Sequence, residues 1–289
     1  MFALAAFVIW GMYPLYFKWL GAVPVVEIMA QRVLWTVLLL GLLLLATGRW
    51  RAARSLFADR RLLATLALSA TLLTANWFVF IWAILHDRVL EGSLGYYINP
   101  LVNVLLAVVF LRERLRPLAW AAVALAVAGV AFPIWTLGQP PWISLFLGFS
   151  FGFYGLIRKL APVDAFAGLF TETLILLPPA LAYVGYLAVA GGGHFATVSL
   201  ETDLGLVSTG LVTAAPLVLF VLAAKRLNYA TVGFFQYLAP SMHFVFAIWL
   251  FGEPLYWQKA VTFACIWAAL VLYSLDNLLA HRRGRRREG

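Results

Sequence analysis

The chain reads as an all-α integral membrane protein of ten transmembrane helices arranged as two inverted five-helix halves. Three observations predict this: an apolar excess that no soluble core absorbs, ten apolar runs of membrane-spanning length, and a weak internal repeat whose copies enter the membrane from opposite sides. Of 289 residues, 64% are hydrophobic and 11% charged, which is more apolar surface than a water-soluble fold buries. In hydrocarbon every backbone N–H and C=O needs an internal partner, so only helices or a closed barrel can span. The runs are long, rich in Leu, Ala and Val, and lack the alternation of barrel strands.

A hydrocarbon core takes about twenty apolar residues per helix. The runs predict spans over 2–22, 24–47, 62–85, 89–111, 117–136, 141–160, 164–189, 204–224, 230–251 and 256–279. The first lacks a basic leader and an Ala-x-Ala cleavage site and continues into Pro14, Tyr16 and Lys18, so a retained helix is expected rather than a signal peptide. Its abrupt start at Met1-Phe2 carries the expectation of a short native tail beyond it. Cys265, the only cysteine, falls in the last span, which argues against a disulfide framework or a cysteine metal site.

The formal charge of +9 does not read as a nucleic-acid footprint, because most of it lies in short helix-flanking loops and in Arg282, Arg283, Arg285, Arg286 and Arg287. Such placement obeys the positive-inside rule or meets anionic lipid. Seventeen of the 21 lysines and arginines fall on one side of the predicted topology; Lys18, Arg88 and Lys259 fall on the other, and Arg32 inside the membrane. Both termini are therefore expected in the cytoplasm.

A shift of 140 residues aligns Tyr97 with Tyr237, Pro100 with Pro240, Ala107 with Ala247, Glu113 with Glu253 and Leu115 with Leu255. Ser93 then meets Gly233, and Leu111-Arg112-Glu113 meets Phe251-Gly252-Glu253. With a one-residue slip, Gly11-Met12-Tyr13 through Lys18 matches Gly152-Phe153-Tyr154 through Lys159. A repeat of five spans is odd, so its two copies must be inverted, the usual build of a transporter with a midplane site. The predicted units are residues 1–138, residues 139–280 and a basic tail, 281–289.

Several segments carry a resemblance. Trp10-Gly11-Met12-Tyr13-Pro14-Leu15-Tyr16-Phe17-Lys18, Glu27-Ile28-Met29-Ala30-Gln31-Arg32-Val33-Leu34-Trp35, Leu94-Gly95-Tyr96-Tyr97-Ile98-Asn99-Pro100-Leu101-Val102-Asn103 and Phe110-Leu111-Arg112-Glu113-Arg114-Leu115 resemble the RarD branch of the EamA transporters, in the drug/metabolite transporter superfamily. The likeness extends through Tyr154-Gly155-Leu156-Ile157-Arg158-Lys159, Glu172-Thr173-Leu174 and Phe251-Gly252-Glu253-Pro254-Leu255. It implies two inverted EamA repeats, a bacterial inner-membrane location, and export or exchange of a small metabolite or amphipathic drug-like solute. An old label of such proteins as chloramphenicol-sensitivity permeases is inherited by name and weighs little on substrate.

A charge at the bilayer centre costs roughly 2.5–3.5 kcal/mol on insertion scales, which makes Arg32 and Glu172 the first candidates for a site. Each lies about nine residues into its helix, and the register makes them equivalent. Two readings stand. Either Arg32 binds an anionic group such as a carboxylate while Glu172 takes up a proton or an amine, or the two form an ion pair, direct or through water, that holds the halves together. Glu27, near the outer end of helix two, reads as structural.

Gly92, Tyr96, Asn99 and Asn103 share one face of helix four, and Gly233, Gln236, Pro240 and His243 one face of helix nine. These stripes should avoid lipid, lining either a cavity or an interhelical seam. His243 reads as a packing histidine ahead of a proton carrier. Pro100 and Pro240 near the centres of their spans, with Pro14 and Pro216, mark candidate kinks. Trp10, Tyr13 and Phe17, with Asn76 and Trp77, suit an amphipathic cavity for an aromatic or amine-bearing solute, with ordinary packing or an interfacial belt as the alternative. Glu113 and Glu253 read as caps at helix junctions.

Rival classes find less support. The four histidines are scattered, and no metal-binding pair, nucleophile elbow or phosphate loop is present, so no catalytic residue, cofactor, metal or ATP drive is expected. A non-transporting scaffold or passive pore is the harder rival. The expected partners are a small-molecule substrate, the lipid bilayer and protons as a candidate coupling ion, with a homodimer left open and no nucleic acid.

Overall fold

A computed structural model describes residues 1–112, 115–138, 140–224 and 235–288, side chains at 137, 221, 224 and 277–288 aside. Glu113, Arg114, Lys225, Arg226 and Gly233, which entered the charge count and the repeat, lie outside the described residues, as do the side chains of the tail arginines. The helices are α1 (Phe2–Gly11), α2 (Tyr13–Trp19), α3 (Val25–Ala46), α4 (Trp50–Leu56), α5 (Arg60–Leu85), α6 (Val89–Leu111), α7 (Pro117–Leu137), α8 (Trp142–Leu160), α9 (Ala165–Ala190), α10 (Leu200–Ala224), α11 (Leu238–Val245), a π-helical turn (Phe246–Leu250) and α12 (Trp257–Glu288).

Among the described residues, eight helices are long and apolar enough to cross a membrane: α3, α5, α6, α7, α8, α9, α10 and α12. The pair α1 and α2, bent by 40° at Met12, makes a ninth if it acts as one span. The predicted span over 230–251 lies partly outside the described residues. Its described part is the shorter apolar stretch Leu238–Leu250, preceded by a turn at Gln236 and Tyr237.

Local chemistry accounts for the breaks. Pro14 stands in the first turn of α2, where its missing N–H costs nothing to that helix but ends the hydrogen-bond ladder of the one before. Pro240 likewise occupies the first turn of α11, not mid-helix, because the turn at Gln236–Tyr237 restarts the chain two residues earlier. Pro100 stays inside a continuous α6. Asp59 caps α5 by accepting from the N–H groups of Arg61 and Leu62 at 2.9 and 3.1 Å, and Asp164 caps α9 through Phe166 and Ala167, both at 3.1 Å. Between the second and third predicted spans lies α4, a helix that no apolar run predicts. Only Ala53 and Leu56 bury there, against α9, in a segment otherwise exposed and arginine-rich.

Arg112 and Gly252, aligned by the 140-residue shift, both adopt the left-handed conformation, with φ of 55° and 67°. Beyond the second of these turns Glu253 accepts hydrogen bonds from the backbone N–H groups of Val89 and Leu90, at 2.5 and 2.9 Å. It therefore caps α6, a helix distant in sequence. Burial pushes its carboxyl above the usual range, while those two donors and Lys259 pull the other way. Glu253→Ala is expected to lower stability by about 1–2 kcal/mol, the upper range for a lost N-cap, as a reduced Tm in detergent.

The helices pack in a recurring order. Helix α3 lies against α9 and α10; α5 against α8 and α9; α1 against α10 and α11; α6 against α8 and α11; and α7 against α12. Tyr97 and Tyr237 stack with ring centroids 6.4 Å apart and planes within 17°. One apolar cluster gathers Phe17, Ile28, Ile84, Leu90, Ile143, Leu147 and Phe263, and a second gathers Leu40, Leu44, Leu66 and Phe170 beneath α4. On α3, Arg32 stands between Ile28 of the first and Leu40 of the second.

Candidate functional site

Arg32 is 3% exposed, in the first half of α3. Its Nε donates to Thr213 Oγ1 on α10 at 2.8 Å. The guanidinium carbon lies 3.8 Å from the ring centroid of Trp77 on α5, and 5.8 and 5.9 Å from the rings of Tyr13 and Phe17 on α2. Tyr13 is itself anchored, its hydroxyl donating to the Val212 carbonyl at 2.9 Å. A desolvated cation over aromatic faces gains about 2 kcal/mol or more, which offsets part of its burial. Among the described residues no carboxylate lies within ion-pair distance of it.

Glu172, 1% exposed on α9, takes a different partner. Arg158 Nη1 on α8 lies 3.7 Å from its Oε1, the Ser69 hydroxyl on α5 donates to the same oxygen, and the Tyr154 hydroxyl approaches Oε2 at 3.5 Å. The direct Arg32–Glu172 ion pair is therefore not formed. The two clusters nevertheless correspond. In the slipped register of helix one, Tyr13 and Phe17 answer Tyr154 and Arg158, so each buried charge has the aligned pair from its own segment's first helix beside it. That alignment was the available signal for Arg158 and Tyr154, which sequence reasoning did not assign to the site. Thr213 and Ser69 carried no such signal.

The polar stripes divide. Asn76 is fully buried and donates to the Leu147 carbonyl and to Ser150 Oγ at 3.0 and 2.9 Å, joining α5 to α8. The Tyr96 hydroxyl points at Asn76 Oδ1, 3.4 Å away, and its ring contacts Phe80, Phe151 and His243. Asn99 accepts from Asn103 Nδ2 at 2.8 Å, while its own Nδ2 is buried with no partner among the described residues. Asn103 is exposed, and Gln236 is half-buried in the turn before α11. His243, 2% exposed, places Nε2 3.0 Å from the Trp10 carbonyl and leaves Nδ1 buried with no partner among the described residues. Trp10 itself is half-buried and packs on Phe7 and Phe220. Arg32, Tyr13, Trp77, Asn76, Tyr96 and His243 thus come together where α2, α3, α5, α6 and α11 meet; Asn103 and Gln236 lie apart from them. Glu27 ties down the loop after α9, accepting from the His194 and Phe195 N–H groups at 2.7 and 3.2 Å and pairing with His194 Nδ1 at 2.8 Å.

Residues 1–135 match the model of the EamA-like transporter family. A Pseudomonas aeruginosa protein named as an uncharacterized transporter is 49% identical over 283 residues, covering 97% of this chain and 94% of its own. The protein RarD of Salmonella typhi is 44% identical, over 98% of this chain and 96% of its own. The chain belongs to the EamA family, in its RarD branch. A solved crystal structure covering 95% of this chain and 96% of its own superposes with a TM-score of 0.60 at 19% identity, which shows a shared fold. Membership places this transporter in the drug/metabolite superfamily, as a multi-pass membrane protein that handles small molecules, and its relatives carry transporter names. In that setting a buried guanidinium with no counter-ion among the described residues, held between α3, α5 and α10, is the feature most in need of a ligand.

Proposed function

We propose that the protein is a secondary transporter, an exporter or exchanger of a small metabolite or amphipathic drug-like solute, working by alternating access of two inverted five-helix halves, residues 1–138 and 139–280, across the bacterial inner membrane. The observation that carries this is Arg32. It comes from the first half, rests on aromatic rings of that half and donates to Thr213 of the second, so any rocking of one half against the other changes its surroundings.

The packing supports the two-half arrangement. Exchanging helix one for six, two for seven, three for eight, four for nine and five for ten turns α1–α10 into α8–α5, α1–α11 into α8–α6, and α3–α10 into α9–α5, all of them observed neighbours. The pairs that this exchange maps onto themselves, α3–α9, α6–α11 and α7–α12, are in contact too, as expected beside a pseudo-two-fold axis. The loop charges favour cytoplasmic termini.

Saturable flux of solute in proteoliposomes, competed by unlabelled solute, is the expected result; flux that rises linearly with concentration and never saturates would sink the reading. Glu172 is the candidate proton carrier, its carboxylate already held by Ser69 and Arg158. Glu172→Gln is expected to insert normally and to lose the response of flux to an imposed pH gradient. A wild-type flux indifferent to that gradient would remove protons from the mechanism.

A further inference from the structure

We infer that the solute is a monocarboxylate on a flat apolar body, its carboxylate held by the Nη edge of Arg32. This rests on the transport reading above and names its substrate class.

The buried carboxylates are each provided for. Glu172 has Arg158 and Ser69, Glu27 has His194 and two backbone donors, Glu91 has Arg88 and Lys259, Glu253 has two backbone donors, and Asp276 has Arg116. Arg32 is the buried cation left over, with no anion among the described residues. Its Nε is used by Thr213, and Trp77 covers one face at 3.8 Å. The Tyr13 hydroxyl stands within hydrogen-bonding reach of the guanidinium, and the Nη N–H groups beyond it match the two oxygens of a carboxylate.

One uncompensated positive charge suits a single negative one. A dianion or an amine would leave a net charge in a medium that penalises it. Tyr13, Phe17, Trp77 and Tyr96 supply flat walls for a ring or branched chain. Among the described residues, four buried polar atoms lack partners on the surrounding helices α3, α5, α6 and α11: Thr36 Oγ1, one turn beyond Arg32, Thr74 Oγ1, Asn99 Nδ2, and His243 Nδ1, whose ring lies 5.3 Å from Phe80 and 6.1 Å from Tyr96. A buried polar atom without a partner costs free energy, so these atoms fit a polar substituent on the ligand.

The test uses the full-length protein in nanodiscs and radiolabelled phenylacetate. Expected are saturable binding, competition by benzoate and 3-phenylpropionate, and none by phenylacetamide or phenylethylamine. Arg32→Gln should weaken affinity by at least about tenfold, the loss expected for a charge-assisted hydrogen bond, with Arg32→Lys in between and Arg116→Gln unchanged. If Arg32→Gln does not yield monodisperse protein, Thr213→Val, which removes the Nε anchor, should weaken binding by roughly threefold or more. No saturable binding to folded wild type, equal competition by phenylethylamine, or affinity indifferent to these substitutions would overturn the inference. Saturable flux of another solute that no carboxylate inhibits would overturn it and leave the transport reading standing. Carboxylate binding without any saturable flux would do the reverse.

Discussion

Replacing Arg32 by methionine is expected to remove most saturable flux while leaving the protein at least as stable as the parent. The two effects have one cause. Arg32 is 3% exposed and has no counter-ion among the described residues, so the folded protein carries an unmet cost that cation–π contact with Trp77 and one hydrogen bond to Thr213 offset only in part. Methionine keeps most of the volume against Trp77, Tyr13 and Phe17 and removes the charge. Flux should fall by about tenfold to a hundredfold, the range for losing a charge-assisted hydrogen bond of ~1.5–3 kcal/mol. Thermal unfolding in the same lipid should shift upward or not at all. A variant that transports normally but unfolds several degrees earlier would assign Arg32 to architecture and withdraw it from the site.

A side chain at Gly210 should damage both stability and transport. Helices α3 and α10 meet there so closely that an added Cβ would lie 2.6 and 2.7 Å from the backbone C and O of Trp35. The obstacle is backbone, which cannot rotate aside, so the helices must part. Gly210→Ala is expected to cost about 1–3 kcal/mol, the usual penalty of overpacking, and Gly210→Leu more. Thr213 lies one turn further along the same helix, so parting the pair also lengthens its 2.8 Å bond to Arg32 Nε and should lower flux in what remains folded. Gly155 is the control. It is exposed on α8 with nothing within 4 Å of an added Cβ, so Gly155→Ala should be neutral or slightly stabilising. Equal Tm values for Gly210→Ala and Gly155→Ala would contradict the packing argument.

The residues that were legible beforehand share a property: their signal lies within one helix. The cost of a charge in hydrocarbon singled out Arg32 and Glu172 whatever their neighbours, and both are buried. Glu253 was readable as a cap, although the helix it caps, α6, was not. Other expectations depended on how a helix is turned about its axis, and these divided. Helical spacing put Gly92, Tyr96, Asn99 and Asn103 on one face, yet Asn103 is exposed while Tyr96 is wedged among Phe80, Phe151 and His243. Pro240 looked central to a span and proved to open a helix after a turn. The helix α4 escaped notice because two buried positions three residues apart are too few to register as a pattern.

That the chain lives in a membrane, where the eight long apolar helices among the described residues run and that Arg32 and Glu172 are buried were legible in the sequence, because hydropathy, length and insertion cost are sums over one segment. Partnership is a property of the packed helices. Glu172 went to Arg158 and Ser69, and Arg32 went to Trp77 and Thr213 instead of to Glu172. Between helices in lipid there is no hydrophobic drive to sort one apolar face from another. Close approach at glycines such as Gly210 and the rotation of each helix therefore choose which polar groups meet, and neither is written in any single segment.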